Sequence, residues 1–224
     1  TSLLYGDQSG IVGRRQLARV FLSYDRATSM ETVAGGARVA AEVLSLDDFT
    51  ILRDLPPDAA LLALSAAGDA PATIASPGGP VTVLTSFVSG DFFRTLGTQP
   101  LIGRLLVPSD EQTSAAPVAV ITESFWRTHF DSDPGVVGRT MHVSLQPFVI
   151  VGVAPPRFRG LSPFEDDAHG VQVWVPVSHV ATWPARPASD QPWLSAVGRR
   201  RDEATRQDVE AQLTVLASRL AAAD

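Results

Sequence analysis

Three short runs in this sequence bring together side chains that could do chemistry. Glu165-Asp166-Asp167-Ala168-His169 gathers three carboxylates and an imidazole, a composition suited to metal ligation or general acid–base work. Asp131-Ser132-Asp133 offers paired carboxylates to a divalent cation. Gly135-Val136-Val137-Gly138-Arg139-Thr140 has the outline of a phosphate-cradling loop. Each meets a plainer alternative. An EF-hand-type calcium loop needs more oxygen ligands and a closing glutamate about twelve positions on, where this chain has His142. Aspartates capping a turn before Pro134 and Gly135 fit that run better. The glycine pair lacks the lysine and the four-residue interval of a P-loop, so a tight turn entering a strand is the better reading. The run at 165–169 lies on a predicted loop, where charges usually face water.

The remaining candidates are scattered. His129, His142 and His179 show no H-x-x-x-H or H-E-x-x-H spacing, and no G-x-S-x-G elbow occurs. Two rival functions follow from these residues. One is a metal-dependent or hydrolytic enzyme using Asp131 and Asp133 or Asp166 and His169. The other is a solute-binding module with Trp126, Trp174, Trp183 or Trp193 lining a pocket, although buried tryptophans more often belong to a core. Arg199-Arg200-Arg201 could meet anionic lipid headgroups, or stand solvated at a strand end. The favoured reading names no catalytic, cofactor-binding or metal-binding residue, and no cofactor.

Composition removes several chemistries outright. The 18 basic residues are all arginine, against 24 acidic residues and a formal net charge of −6. With no lysine there is no Schiff-base chemistry and no P-loop lysine. With no cysteine there is no thiolate nucleophile, thiolate metal site or disulfide, and with no asparagine there is no N-glycosylation sequon. An acidic balance argues against a general nucleic-acid binder, whose affinity rests on a basic face. No apolar run approaches the roughly 18 residues that span a bilayer; Phe148 to Ala154 is the best. The start at Thr1, without a methionine or a leader, predicts a piece of a longer product.

The elements that would position these residues alternate between strand and helix. Strands are predicted at 17–24, 59–66 and 72–75, the last two separated by a Gly68-Asp69-Ala70-Pro71 turn, and at 81–88. The segment 37–44 could be strand or helix. Leu46, Phe49, Ile51, Leu52 and Leu55 give a helical face stopped by Pro56 and Pro57. Ser89-Gly90-Asp91 offers a cap for a short helix carrying Phe92, Phe93 and Leu96 and closed by Gly97. After an irregular segment at 100–108 and a polar surface loop at 109–116, a strand at 117–121 leads to a helix capped by Thr122. Strands follow at 140–143, 147–153, 171–177 and 193–197, with loops at 157–170 and around Pro184, Pro187 and Pro192. Val209, Leu213, Leu216 and Leu220 mark a terminal amphipathic helix behind an Asp202 cap. Strands outnumber helices without a regular βαβ repeat, so the predicted class is α+β.

From Val83 to Val177 the order of turns and apolar pairs resembles the extracytoplasmic core domain of MacB-like (FtsX-like) ABC transporter permeases, particularly the duplicated orphan permeases. The carrying residues are Val88-Ser89-Gly90-Asp91-Phe92-Phe93, Leu96-Gly97, Gly103-Arg104, Pro117 to Ile121, Phe125-Trp126, Phe130, Asp133-Pro134, Val137-Gly138-Arg139-Thr140, Phe148 to Pro156, Phe158-Arg159-Gly160 and Val173 to Pro176. Likeness extends to Leu46–Asp54 and to Trp193–Arg199 with the terminal helix. Two departures stand out: Val143-Ser144-Leu145-Gln146 replaces a glycine-containing hairpin turn, and the first sixteen residues match poorly. The resemblance implies a domain outside the cytoplasmic membrane, set between transmembrane helices. It implies a porter-like lobe from residues 1–83 and 177–224 and an inserted β-rich lobe at 84–176. It further implies no catalytic site and work as a coupler between a cytoplasmic ABC ATPase and extracytoplasmic cargo or partners, in export or envelope signalling. The implied partners are the flanking transmembrane helices, the ATPase, and a periplasmic adaptor or second permease half, with no nucleic acid.

Overall fold

The computed structural model describes residues 17–20, 44–56, 58–75, 79–112, 114–161, 170–183, 188 and 190–223. Nine strands among them form one mixed sheet: β1 (Leu17–Val20), β2 (Leu61–Ile74), β3 (Val81–Val88), β4 (Ile102–Gly103), β5 (Val118–Ile121), β6 (Thr140–Val143), β7 (Gln146–Val153), β8 (Val171–Pro176) and β9 (Ser195–Arg200). The order across it is β1-β9-β2-β3-β8-β5-β7-β4, with β6 pairing both β2 and β7. The pairs β3–β8 and β5–β7 are parallel and the others antiparallel. Four α-helices accompany the sheet: α1 (Leu46–Leu52), α2 (Phe92–Leu96), α3 (Glu123–Phe130) and α4 (Arg206–Ala223). The expected α+β class is the class observed.

Side chains alternate across strands, so the sheet carries a core on each face. Leu64, Ala66, Phe87, Ala119, Ile121, Phe148, Ile150, Val173 and Val175 join Phe49 and Leu52 of α1 and Leu216 of α4 on one side. Ala67, Val88, Val120 and Trp174 join Phe92, Phe93 and Leu96 of α2 on the other. The Val171, Val173, Val175 alternation therefore told half the story, because the intervening Trp174 is equally buried under Phe93 and Phe158.

Local chemistry sets the helix starts. Ser45 Oγ accepts from Asp48 N (3.0 Å) while Asp48 Oδ2 accepts from Ser45 N (3.3 Å), a reciprocal cap on α1. Thr122 Oγ1 accepts from Phe125 N at 3.1 Å on α3, as expected. The cap of α4 is Thr205, whose Oγ1 accepts from Asp208 N (3.2 Å) and whose N donates to Asp208 Oδ2 (2.7 Å). Asp202 stands too far upstream to serve. Asp91 occupies the start of α2 but its side chain caps nothing there; it pairs with Arg94 at 2.8 Å. Gly97 closes α2 at φ +68° as predicted.

One expected turn is absent. Gly68 to Pro71 lie inside β2 and pair with Phe87, Ser86, Thr85 and Leu84 of β3. Beyond Ala67, β9 no longer flanks β2, so Pro71 sits on a strand edge where its missing N–H breaks no ladder on that side. Gly68 serves packing: a Cβ there would lie 2.2 Å from the Trp193 ring. At the β6–β7 hairpin the two-residue turn is made by Ser144 (φ +48°) and Leu145 (φ +72°), a conformation that favours Asn or Gly. The segments 21–43 and 162–169 hold further expected strands and loops, which lie outside the described residues.

Candidate functional site

Two forked ion pairs meet at a turn whose acids fall within the polar loop expected at 109–116. Pro108–Glu111 forms a 3-10 turn, and its two acids reach in different directions. Asp110, 6% exposed, accepts both arms of Arg104, at 2.6 and 2.9 Å, and also Val107 N at 2.9 Å. Glu111 accepts both arms of Arg53, one of them at 3.0 Å, and Gly90 N at 2.7 Å. Arg53 follows α1 and its guanidinium lies 5.2 Å from the centre of the Phe49 ring. The turn thus ties α1, the β3–α2 corner and the β4 segment together with two forked ion pairs, the strong geometry for such pairs. The hydrogen bonds that Arg53 and Arg104 donate to Glu111 and Asp110 raise the arginines' pKa values against the lowering effect of burial, so both guanidiniums stay charged.

The glycines of the motif make these approaches sterically feasible. A Cβ on Gly90 would sit 2.5 Å from Pro108 Cα, one on Gly103 (φ +70°) 2.3 Å from Val151 O, and one on Gly152 2.1 Å from Arg104 O. Ser89 Oγ accepts from Ala66 N at 3.1 Å. Ser89, Glu111 and Asp110 accept from the backbone N–H of Ala66, Gly90 and Val107, while the Arg53–Glu111 and Arg104–Asp110 pairs join side chain to side chain; each carboxylate accepts three hydrogen bonds, which suits positioning.

The residues singled out in sequence are dispersed. Asp131 is the left-handed C-cap of α3 at φ +49°. Asp133 accepts from Gly135 N at 2.8 Å and pairs with Arg139, and its carbonyl accepts from Trp126 Nε1 at 2.8 Å. Asp133 caps the turn at Pro134 and Gly135, as the plainer reading has it, while Asp131 ends α3 through its backbone. Asp166 and His169 lie outside the described residues. Among the described residues no group of three or more His, Asp or Glu could hold a metal. His129 packs on Phe125 and His179 stands edge-on to Phe148, and partial burial lowers both pKa values; His142 is exposed on β6. Trp174 and Trp183 are core residues and Trp193 packs against the core at Phe87, so the tryptophans do not converge on one pocket. The three arginines at 199–201 are engaged by backbone: Arg199 Nε donates to Thr95 O, Arg200 to Ala204 O, and Arg201 Nε to Ala59 O at 2.6 Å.

A mixed nine-stranded sheet with helices on both faces, in which forked ion pairs join distant segments, defines an α+β domain. Residues 5–216 match the MacB-like periplasmic core domain, and the chain belongs to that family: a periplasmic domain of an ABC-type permease, on the extracytoplasmic side of the membrane. The match begins within the sixteen residues where the motif residues showed little likeness. Among solved structures, the periplasmic region of MacB from Actinobacillus actinomycetemcomitans is similar at TM-score 0.62 and 18% identity, over 79% of this chain and 74% of that one. The extracellular domain of the noncanonic ABC-type transporter YknZ from Gram-positive bacteria is similar at 0.58 and 10%, over 81% and 86%. A domain of a putative permease protein from Porphyromonas gingivalis is similar at 0.54 and 13%, over 82% and 73%. At these identities the likeness is one of fold. No curated protein matches the sequence. No helix among the described residues is long and apolar enough to cross a membrane.

Proposed function

We propose that this domain couples nucleotide-driven motion of its parent permease to export or envelope signalling, acting through contacts and without catalysis of its own. The observation that carries the reading is the family match over residues 5–216, joined to the way Asp110 and Glu111 tie the motif's Gly90 and Arg104 to distant segments. Glu111 holds Arg53 and Gly90 while Asp110 holds Arg104, a staple suited to a body that must transmit force without deforming. Flanking transmembrane helices and an ABC ATPase are the partners this reading requires; an adaptor or second permease half would dock on the extracytoplasmic surface. In the same reading, residues 1–83 and 177–224 form a porter-like lobe and 84–176 an inserted lobe, with the first boundary falling inside β3.

Leu145 provides the test. It is 93% exposed at the β6–β7 hairpin tip, and the chain has no native cysteine. In the parent permease, a fluorophore on Leu145→Cys and another on a cysteine in the preceding transmembrane helix should change energy transfer when ATP binds. Transfer that is identical in every nucleotide state would remove the coupling role.

A further inference from the structure

β2 is a 14-residue strand, which at roughly 3.3 Å per residue carries the fold about 40 Å from Leu61 to Ile74. The described elements nearest the two chain ends pack at the Leu61 end. Gln212 of α4 accepts from Leu61 N at 3.1 Å, and β1 pairs with β9, which flanks β2 only from Leu61 to Ala67.

The Ile74 end is built on the β6–β7 hairpin instead. Val143 pairs with Ile74, Ser144 N donates to Thr73 O at 2.7 Å and Thr73 N donates to Ser144 Oγ at 3.3 Å. On the other side of the turn, Gln146 Nε2 donates to Thr182 O at 2.7 Å and Thr182 Oγ1 donates to Gln146 Oε1 at 3.0 Å. Both chain neighbours of Leu145 are therefore fastened, and the tip is pre-organised.

Leu145 is unusual twice over. It is 93% exposed, while the other exposed large apolar side chains among the described residues lie between 39% and 55%. Its φ of +72° belongs to a turn position that favours Gly or Asn, and a side chain so exposed has no packing inside the domain to offset that strain. Strain kept at an exposed site points to a use outside the fold. The surface around it is also uncharged: residues 70–75, 79–83, 140–148 and 177–183 contain no Asp, Glu or Arg, in a chain of which 19% of residues are charged. Depletion of charge is what distinguishes the centre of a protein–protein contact.

We infer that this uncharged tip docks a partner protein in the extracytoplasmic space, with Leu145 entering an apolar pocket of that partner. A convex, rigid leucine needs a concave counterpart, the arrangement of a central anchor inside a polar rim. Thr73, Ser144, Gln146 and Thr182 supply the rim. A bilayer fits less well, because one leucine is a weak membrane anchor and these segments carry no arginine to meet headgroups. Only the placement of the membrane rests on the proposed function: with transmembrane helices leading from the chain ends, the tip lies on the far side of the domain from them. Docking is read without nucleotide and without a fluorophore at position 145, so its failure leaves the coupling reading standing.

The probe is a diazirine-bearing leucine analogue placed at position 145 of the parent permease in intact cells, with the photo-adduct identified by mass spectrometry. One extracytoplasmic protein is expected from position 145 and not from Leu62, which is 52% exposed near the other end of β2. That protein, once purified, should bind the 224-residue chain in calorimetry. Leu145→Asn, which suits the turn, should weaken binding about thirtyfold, as expected for one buried leucine, with an unchanged or raised melting temperature. Leu145→Met should bind within about threefold of the parent chain. The assignment is overturned by the absence of a protein adduct, by adducts only with lipid or with a second copy of this chain, by the same adduct from both positions, or by equal affinity in Leu145→Asn and the parent chain.

Discussion

Two acidic turns in this domain look alike on paper and behave differently. Pro108-Ser109-Asp110-Glu111 and Asp133-Pro134-Gly135 each combine a proline and a 3-10 turn with acid, two carboxylates in the first and one in the second. In the second turn, Asp133 reaches two residues to Gly135 and six to Arg139. In the first, Glu111 reaches 58 residues back to Arg53 and 21 back to Gly90. The second is exposed and local; the first buries Asp110, half-buries Glu111 and joins segments distant in sequence. The same residue types thus cap a loop in one place and hold a fold together in the other. Partners decide the difference, because a forked pair shielded from water retains more of its strength than an exposed one.

Substitutions at each turn sharpen that contrast. The largest effect belongs to Gly90→Ala, which forces a methyl to within 2.5 Å of Pro108 Cα and should cost about 3 kcal/mol in a denaturant titration. Its counterpart Gly135→Ala meets only Asp133 Oδ1, at 3.2 Å, and should cost about 0.5 kcal/mol or less. Next comes Glu111→Ala, which strands Arg53 and the Gly90 N–H; about 2 kcal/mol is expected. Asp133→Ala loses one turn cap and an exposed pair, for about 0.5–1 kcal/mol. If Asp133→Ala proved as damaging as Glu111→Ala, the distinction between local and long-range turns would fail. A small effect of opposite sign falls at the hairpin: Leu145→Gly relieves φ +72° and should raise stability by about 0.5 kcal/mol, detectable as a raised thermal midpoint.

Sequence was most informative where periodicity and caps act locally. The alternation in 81–88 and 171–177, the Thr122 cap and the Gly97 stop all correspond to observed elements, and the ordered turns from Val88 to Pro176 were enough to point to the family. It misled where a residue has two physical uses. Gly68 and Pro71 carry turn propensity, but a glycine is also what fits beneath the Trp193 ring, and a proline is also tolerated on the unpaired edge of β2. Asp110 and Glu111 were invisible as a site because their partners, Arg53, Gly90 and Arg104, are set by tertiary contacts. The one available hint was that Gly90 and Gly103-Arg104 recur in the family motif, while the acids that bind beside them sit in an unremarkable polar stretch.

The central claim is that this domain moves with its permease as one stapled body. The direct measurement is energy transfer from the Leu145→Cys label in the parent permease, with and without Glu111→Gln, alongside the rate of ATP hydrolysis. The account predicts an ATP-dependent change in transfer that Glu111→Gln abolishes while hydrolysis continues. An ATP-dependent change of equal size in Glu111→Gln would contradict it.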